Sequence, residues 1–268
     1  MDLKEISMTI YNLDKIFKPD AIGIIGASDK KGSIGHALLR NIQKGGYKGK
    51  IFPINTRYPL INGLTAYPSI RDVGQSVDLA VIATPIKTVP QIIGECVRAG
   101  VGGAIIISAG GKETGRKGAE IEAEIKKEAD KGGLRIIGPN CVGVISSKDN
   151  LYATFANRMP LPGKMAFISQ SGALVGAILD LSLKKQIGFS HFVSVGSMID
   201  ADFGDLIDYL GNDPNVSSIV LYMEGVTNPR KFMSAARAVS RVKPIIILKS
   251  GRSVAGAKAA ASHTGSMA

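Results

Sequence analysis

The 268-residue sequence contains no tryptophan, only two cysteines and few aromatic residues, which make up 6% of the chain. Cys96 and Cys141 form no metal-binding or redox spacing, so we expect free thiols and no metal site. No apolar run approaches the roughly 20 residues that span a bilayer, and Met1–Glu5 does not resemble a secretory signal. We therefore expect a cytoplasmic protein that does not interact with membranes.

Positive charge is in excess, with a formal net charge of +11. The lysines and arginines are spread over predicted helices and turns, and they form no basic stripe with interleaved aromatic residues. Nucleic-acid binding is therefore not indicated. Two interpretations remain open: a basic surface that is merely solvated, or a site for a small polyanionic ligand.

Strand-like apolar runs alternate with helical segments along the chain, beginning with Ala21–Ile25. Strands that are apolar without alternation are typical of parallel sheets covered on both faces. We predict an α/β protein with two doubly wound parallel-sheet domains. The predicted boundaries are residues 1–141 for the first domain, 142–163 for an irregular, proline-containing linker, and 164–268 for the second domain.

A glycine-rich turn separates the first strand from the first helix, with Gly26, Ala27 and Ser28 followed by Gly32 and Gly35. Glycines at this position let the backbone approach a phosphate, and the helix start supplies amide donors. The spacing differs from G-x-G-x-x-G, so the loop alone is weak evidence. Its position between a strand and a helix favours a nucleotide-like ligand.

The end of the second strand indicates which nucleotide fits. A domain that selects NAD usually places a carboxylate there to bind the ribose 2′-hydroxyl. Here the sequence has Asn55 and Arg57 instead. A guanidinium suits an additional phosphate on the ribose, which both NADP and coenzyme A carry. The alternative is that Arg57 is an ordinary surface residue.

A second glycine loop, Ser169-Gln-Ser171-Gly172-Ala173, follows the first strand of the second domain. It lacks the glycine that a nucleophile elbow requires two residues before the serine. Hydroxyls and helix-start amides instead indicate a phosphoryl-binding site. Glu224 follows a neighbouring strand, so it can approach this loop at the same sheet edge. An ordinary capping or solvated acid is the alternative for Glu224.

His263 lies in a loop of small residues, Ala261–Ser266, after the last predicted strand. An imidazole is a competent nucleophile near neutral pH, and a nearby carboxylate would fix its tautomer. A surface histidine in a flexible tail is the alternative. His191 lies within a predicted strand and is expected to be structural, whereas His36 begins a helix and has little support as a ligand.

Together these motifs resemble the nucleoside-diphosphate-forming acyl-CoA synthetases, especially ADP-forming acetate–CoA ligases and the succinyl-CoA synthetase α-subunit. The resemblance covers most of the chain from Phe17 and includes Gly138-Pro-Asn-Cys-Val-Gly143 as an inter-domain signature. It implies a Rossmann-like CoA-binding domain followed by a flavodoxin-like ligase domain. The CoA-binding residues that it implies are Gly26, Ala27, Ser28, Gly32, Gly35, Asn55, Arg57, Thr84, Pro85 and Asn140.

The resemblance also implies a reversible reaction cycle. Phosphate attacks an acyl-CoA, CoA leaves, and His263 takes the phosphoryl group from the acyl phosphate. The loop then delivers it to ADP on an ATP-grasp subunit or domain, which would hold the nucleotide and Mg²⁺. Glu224 would orient the histidine, while Ser171, Gly172 and Ala173 would bind the phosphoryl oxygens. A hetero-oligomer that acts on small carboxylic acids is expected.

Members of this family continue beyond the histidine loop, so we expect the chain to be a fragment of a longer subunit. Two other functions remain as alternatives. A non-catalytic CoA-sensing module, such as part of a protein acetyltransferase, is disfavoured because such proteins tend to have lost the residue matching His263. An NADP-dependent reductase is supported only by Arg57 and the first glycine loop. The sequence does not identify the acyl group.

Overall fold

The computed structural model describes residues 10–251, which form two main sheets flanked by helices. In the first half the strands are β1 (Ala21–Ile25), β2 (Lys50–Ile54), β3 (Leu60–Ile61), β4 (Leu64–Thr65), β5 (Leu79–Ile82), β6 (Gly103–Ile106) and β7 (Arg135–Ile137). The α-helices there are α1 (Asp14–Phe17), α2 (Ile34–Lys44), α3 (Val89–Arg98) and α4 (Arg116–Asp130). Short 3₁₀ turns lie at Ile70–Val73, Ile86–Thr88 and Lys112–Thr114.

The first sheet is fully parallel, with strand order β2-β1-β5-β6-β7. β1, β5 and β6 are buried along their entire lengths. The reason is that α2 packs on one face while α3 and α4 pack on the other. Continuous apolar strands are expected in such a sheet, because neither face meets water. β3 and β4 form a separate small hairpin beside it.

The second sheet is mixed. Its strands are β8 (Gly143–Ser146), β9 (Leu151–Thr154), β10 (Leu161–Ser169), β11 (Gly188–Ser194), β12 (Ser218–Met223) and β13 (Ile245–Lys249). Helices α5 (Gly172–Lys184), α6 (Phe203–Gly211) and α7 (Pro229–Val239) connect them. In the order β13-β12-β10-β11-β8-β9, the first four strands are parallel and the last two are antiparallel. The predicted α/β class with two doubly wound domains is confirmed, with this antiparallel extension added.

The stretch 142–163, predicted to be an irregular linker, contains two complete strands and the beginning of a third. β8 and β9 are fully buried and extend the second sheet. Asn41 of α2 donates from Nδ2 to the carbonyl oxygens of Thr154 at 2.7 Å and Ala156 at 2.9 Å. Each strand has four residues and ends in a polar one, Ser146 or Thr154, so neither belongs to a long apolar run that would reveal it. The segment therefore packs against both domains.

A loop of the second domain covers the open edge of β7. The backbone N–H groups of Ser197 and Ala201 donate to the carbonyl oxygens of Pro139 at 2.9 Å and Ile136 at 3.1 Å. The Asp200 carboxylate accepts from Ile136 N–H at 2.8 Å. An uncovered strand edge would leave backbone groups unpaired. These bonds satisfy that edge and fix the two domains to each other.

Candidate functional site

The first glycine loop is held in place by contacts that only glycine permits. Gly26 has φ +91°, and its N–H donates to Ile54 O at 3.0 Å. A Cβ on Gly35 would lie 1.9 Å from Gly26 O, so α2 begins in direct contact with the loop backbone. The helix start therefore lies against the loop, as phosphate-binding turns require.

Asn55 holds this loop with its side chain. Its Nδ2 donates to Ala27 O at 2.8 Å, while its Oδ1 accepts from Arg57 N–H at 2.8 Å. The side chain of Arg57 is exposed beside the loop. Ser28 Oγ accepts from Lys30 N–H at 3.1 Å. The Asn55 side chain therefore stabilises the loop. The Arg57 guanidinium lies on the surface, where an anion can bind it.

A cavity of about 720 Å³ lies between the two domains. Five of the predicted site residues line it: Thr84 and Asn140 from the first domain, and Ser171, Gly172 and Ala173 from the second. The other predicted CoA-binding residues do not line it: Gly26, Ala27, Ser28, Gly32, Gly35, Asn55, Arg57 and Pro85. Ile34, the first residue of α2, borders the cavity, so the glycine loop adjoins it.

The start of α5 carries the three residues predicted to bind the phosphoryl group, Ser171, Gly172 and Ala173, which we call the phosphoryl seat. Ser171 caps the helix, since its Oγ accepts from Leu174 N–H at 3.4 Å. Its own N–H donates to Ser169 Oγ at 3.1 Å. The amides of Gly172 and Ala173 lie in the first helical turn, where no preceding helical carbonyl is available. These two amides are therefore the donors that suit an anion in the cavity.

Glu224 follows the last residue of β12, the strand that pairs with β10. It is 5% exposed, and its Oε2 has no hydrogen-bond partner among the described residues. Gln170 connects it to the cavity, because Gln170 Oε1 accepts from Glu224 N–H at 2.8 Å. A buried carboxylate oxygen without a donor is unfavourable unless a ligand or another segment supplies one.

The end of β13 lies beside the backbone of the turn that carries Glu224. Ser250 N–H donates to Met223 O at 2.8 Å, and Lys249 Nζ donates to Glu224 O at 2.9 Å. His263, the predicted nucleophile, lies outside the described residues and follows Gly251 by 12 positions. Its predicted neighbour Glu224 is thus at the point where the segment that carries the histidine begins.

The structure adds two cavity residues that the motif analysis did not select. Ser108, just beyond the end of β6, is 8% exposed, and its buried Oγ has no partner in the described part of the chain. Gln170 is 6% exposed. Both lie at the carboxyl ends of parallel strands, where ligands bind in open α/β sheets. Their positions just after predicted parallel strands could have identified both residues from the sequence.

The two described histidines are not part of the site. His191 is 1% exposed inside β11, and burial lowers its pKa to about 4. The backbone N–H of His36 donates to Ser33 Oγ at 3.2 Å at the start of α2. Residues 10–251 contain no cluster of His, Cys, Asp and Glu that suits a metal ion. Within the same range, no helix is long and apolar enough to cross a membrane.

Comparison with known proteins finds relatives for both halves of the chain. A CoA binding domain model matches residues 20–147, and a succinyl-CoA ligase like flavodoxin domain model matches residues 162–268. The α-subunit of ADP-forming acetate–CoA ligase II from Pyrococcus furiosus is 45% identical over 96% of this chain and 56% of its own length. ADP-forming acetate–CoA ligase from Methanocaldococcus jannaschii is 45% identical over 96% of this chain and 36% of its own length.

A solved structure is similar over the same region. It is that of the Ca. Korarchaeum cryptofilum dinucleotide forming acetyl-coenzyme A synthetase 1 in complex with phosphate and ADP, with a TM-score of 0.91 and 43% identity. The match covers 96% of this chain and 55% of that one. The chain thus spans about half, or less, of the length of these relatives. It belongs to the nucleoside-diphosphate-forming acyl-CoA synthetase family, and it carries the CoA-binding domain and the succinyl-CoA-ligase-like flavodoxin domain of that family.

Proposed function

We propose that the chain is the CoA-binding and phosphohistidine-carrying part of an ADP-forming acyl-CoA synthetase. The observation that carries this proposal is the inter-domain cavity, which brings Thr84 and Asn140 together with the phosphoryl seat. A thioester bound to the first domain can therefore reach an anion site on the second. The relatives named above are ligases, which favours a catalytic role over a CoA-sensing regulatory module.

Two transfers take place on this chain: the acyl group passes from CoA to phosphate, and the phosphoryl group then passes to His263. Phosphate attacks the thioester carbonyl, the C–S bond breaks, and CoA leaves as the acyl phosphate forms. An imidazole nitrogen of His263 then attacks phosphorus, the bond from phosphorus to the acyl oxygen breaks, and the carboxylate is released. The amides of Gly172 and Ala173 stabilise the phosphoryl oxygens. Glu224 accepts the other imidazole N–H and stabilises the positive charge on the ring.

The phosphohistidine delivers its phosphoryl group to ADP on an ATP-grasp subunit or domain, which holds the nucleotide and Mg²⁺. His263 follows Gly251 by twelve positions, and an extended segment of that length reaches at most about 40 Å. This reach allows the histidine to serve both the Glu224 turn and a partner surface. A hetero-oligomer in the cytoplasm fits this scheme, and it agrees with the free cysteines Cys96 and Cys141.

The ligand of the first domain is tested by binding measurements. Arg57→Ala should weaken CoA binding about tenfold, because a charge-assisted phosphate contact is lost. Binding of dephospho-CoA, which lacks the ribose phosphate, should stay unchanged. Titration calorimetry measures both, with Arg71→Ala as the control at another exposed arginine. Tight NADPH binding that competes with CoA would favour the reductase alternative and contradict the proposal.

A further inference from the structure

Gln170 is a buried side chain between the phosphoryl seat and Glu224, and no role has been assigned to it above. Its Oε1 accepts two backbone hydrogen bonds, from Glu224 N–H at 2.8 Å and from Gly225 N–H at 3.1 Å. The backbone N–H of Gln170 donates to Tyr222 O at 3.1 Å. The same side chain lines the inter-domain cavity. One residue thus contacts the carboxylate turn and the anion site.

The turn that bears Glu224 depends on these two bonds. Gly225 follows the carboxylate residue and has no side chain that could restrict the backbone. From the opposite side, Lys249 Nζ donates to Glu224 O at 2.9 Å. The Glu224 carboxylate is buried, and its Oε2 has no partner in the described range. The position of the backbone that carries this carboxylate is therefore fixed by Gln170.

We propose that Gln170 is a positioning residue for phosphoryl transfer. It fixes the Glu224–Gly225 turn relative to the first turn of α5, so that the carboxylate and the phosphoryl seat keep one separation. This inference rests on the proposed function. A small displacement of an orienting group can lower the reaction rate many-fold, because the reacting atoms must be aligned. Gln170 acts on the rate through Glu224 rather than through chemistry of its own.

Two substitutions separate positioning from general stability. Leucine at this position removes the acceptor and leaves two N–H groups unpaired, so the turn is free to shift. Glutamate retains an acceptor oxygen but places a negative charge beside an anion site, which repels the substrate. Gln170→Leu should therefore lower the maximal rate, whereas Gln170→Glu should preserve it and weaken substrate binding.

The experiment measures phosphorylation of His263 in the 268-residue chain as a function of acetyl phosphate concentration. For Gln170→Leu we expect the maximal rate to fall about tenfold or more, with a half-saturating concentration within about twofold of the unsubstituted value. For Gln170→Glu we expect a maximal rate within about threefold and a half-saturating concentration raised about fivefold or more. Gln91→Leu is the matched control, since Gln91 is exposed and bonds Glu95 at 3.0 Å.

The proposal is overturned if Gln170→Leu has a normal maximal rate, or if both variants lose rate equally with no change in half-saturation. Circular dichroism and CoA binding check that the variants fold. If Gln170→Leu does not fold, Gln170→Glu tests the proposal alone: a preserved maximal rate with a raised half-saturating concentration supports it, and a lowered maximal rate with an unchanged half-saturating concentration overturns it. An unsubstituted chain that takes up no phosphate overturns the proposed function as well. A labelled chain with an unaffected leucine variant overturns only the role of Gln170.

Discussion

His191 lies in the interior of β11, and the ring of Phe17 packs edge-on against it with centroids 5.6 Å apart. Burial lowers its pKa to about 4, although Asp213 and Asp149 act in the opposite direction. The imidazole is therefore neutral at physiological pH. Its contact with Asp213 at 4.0 Å is not an ion pair there. The residue serves the packing between α1 and the second sheet.

This histidine makes stability depend on pH. Because its folded pKa of about 4 lies below the ordinary value of 6.5, the unfolded chain takes up the proton first as the pH falls. We expect the free energy of unfolding to decrease by about 3 kcal/mol between pH 6.5 and pH 4 from this group. Urea denaturation at several pH values measures it. His191→Met should reduce the pH dependence, whereas an unchanged slope in that variant would contradict the assignment; His36→Gln is the control.

At the scale of single residues, Ser171, Gly172 and Ala173, predicted to bind the phosphoryl group, line the cavity. A helix start at a strand end can be recognised from local pattern. Asn55 bonds Ala27 and Arg57 with its side-chain amide, and its binding of CoA stays a prediction. Gln170 depends on a bond to a residue 54 positions away. Such a contact is not encoded in a local motif.

At the scale of elements, β7 connects the two domains. Arg135 donates from Nε to Asp200 at 2.9 Å, and its guanidinium lies 3.2 Å from the buried Asp205 carboxylate. Lys231 of α7 also bonds Asp205 at 2.8 Å. The cluster thus ties the edge strand of the first sheet to α6 and α7 of the second domain. Its charges are partly buried and depend on one another.

Removing the Arg135 guanidinium should destabilise the folded chain, because the buried Asp205 carboxylate then loses one of its positively charged partners. We expect Arg135→Met to lower the free energy of unfolding by about 3–5 kcal/mol. Arg116→Met is the matched control; Arg116 forms an exposed pair with Glu120, so its loss should cost less than about 1 kcal/mol. Chemical denaturation of both variants measures the difference. Equal effects would show that the cluster does not hold the domains together.

The same scale explains which elements the sequence could predict. Strands that lie within longer apolar runs, such as β1 and β6, and amphipathic helices such as α2 can be predicted from the sequence pattern. The strands β8 and β9 are harder to recognise, since they form an antiparallel hairpin that joins the second sheet only through the pairing of β8 with β11. β11 begins more than 40 residues after the end of β8. Pairing of that kind is decided by tertiary packing.

At the scale of the whole molecule, the site exists because two separately predictable domains face each other. Local pattern predicts each glycine loop, but not the cavity of about 720 Å³ between the domains. The loop at residues 197–201 bonds the edge of β7 and joins the two domains that enclose this cavity. We propose that a ligand on the first domain and a phosphoryl group on the second meet at this cavity and that His263 takes the phosphoryl group.

The most direct test is to incubate the chain with acetyl phosphate, and separately with acetyl-CoA plus phosphate, and to map acid-labile phosphate by mass spectrometry under alkaline conditions. We expect a label on His263 in both reactions, lost in His263→Asn and retained in His36→Gln. We also expect Glu224→Gln to lower the rate of labelling about tenfold or more. A chain that binds CoA but takes up no phosphate at His263 would show that the proposed function is wrong.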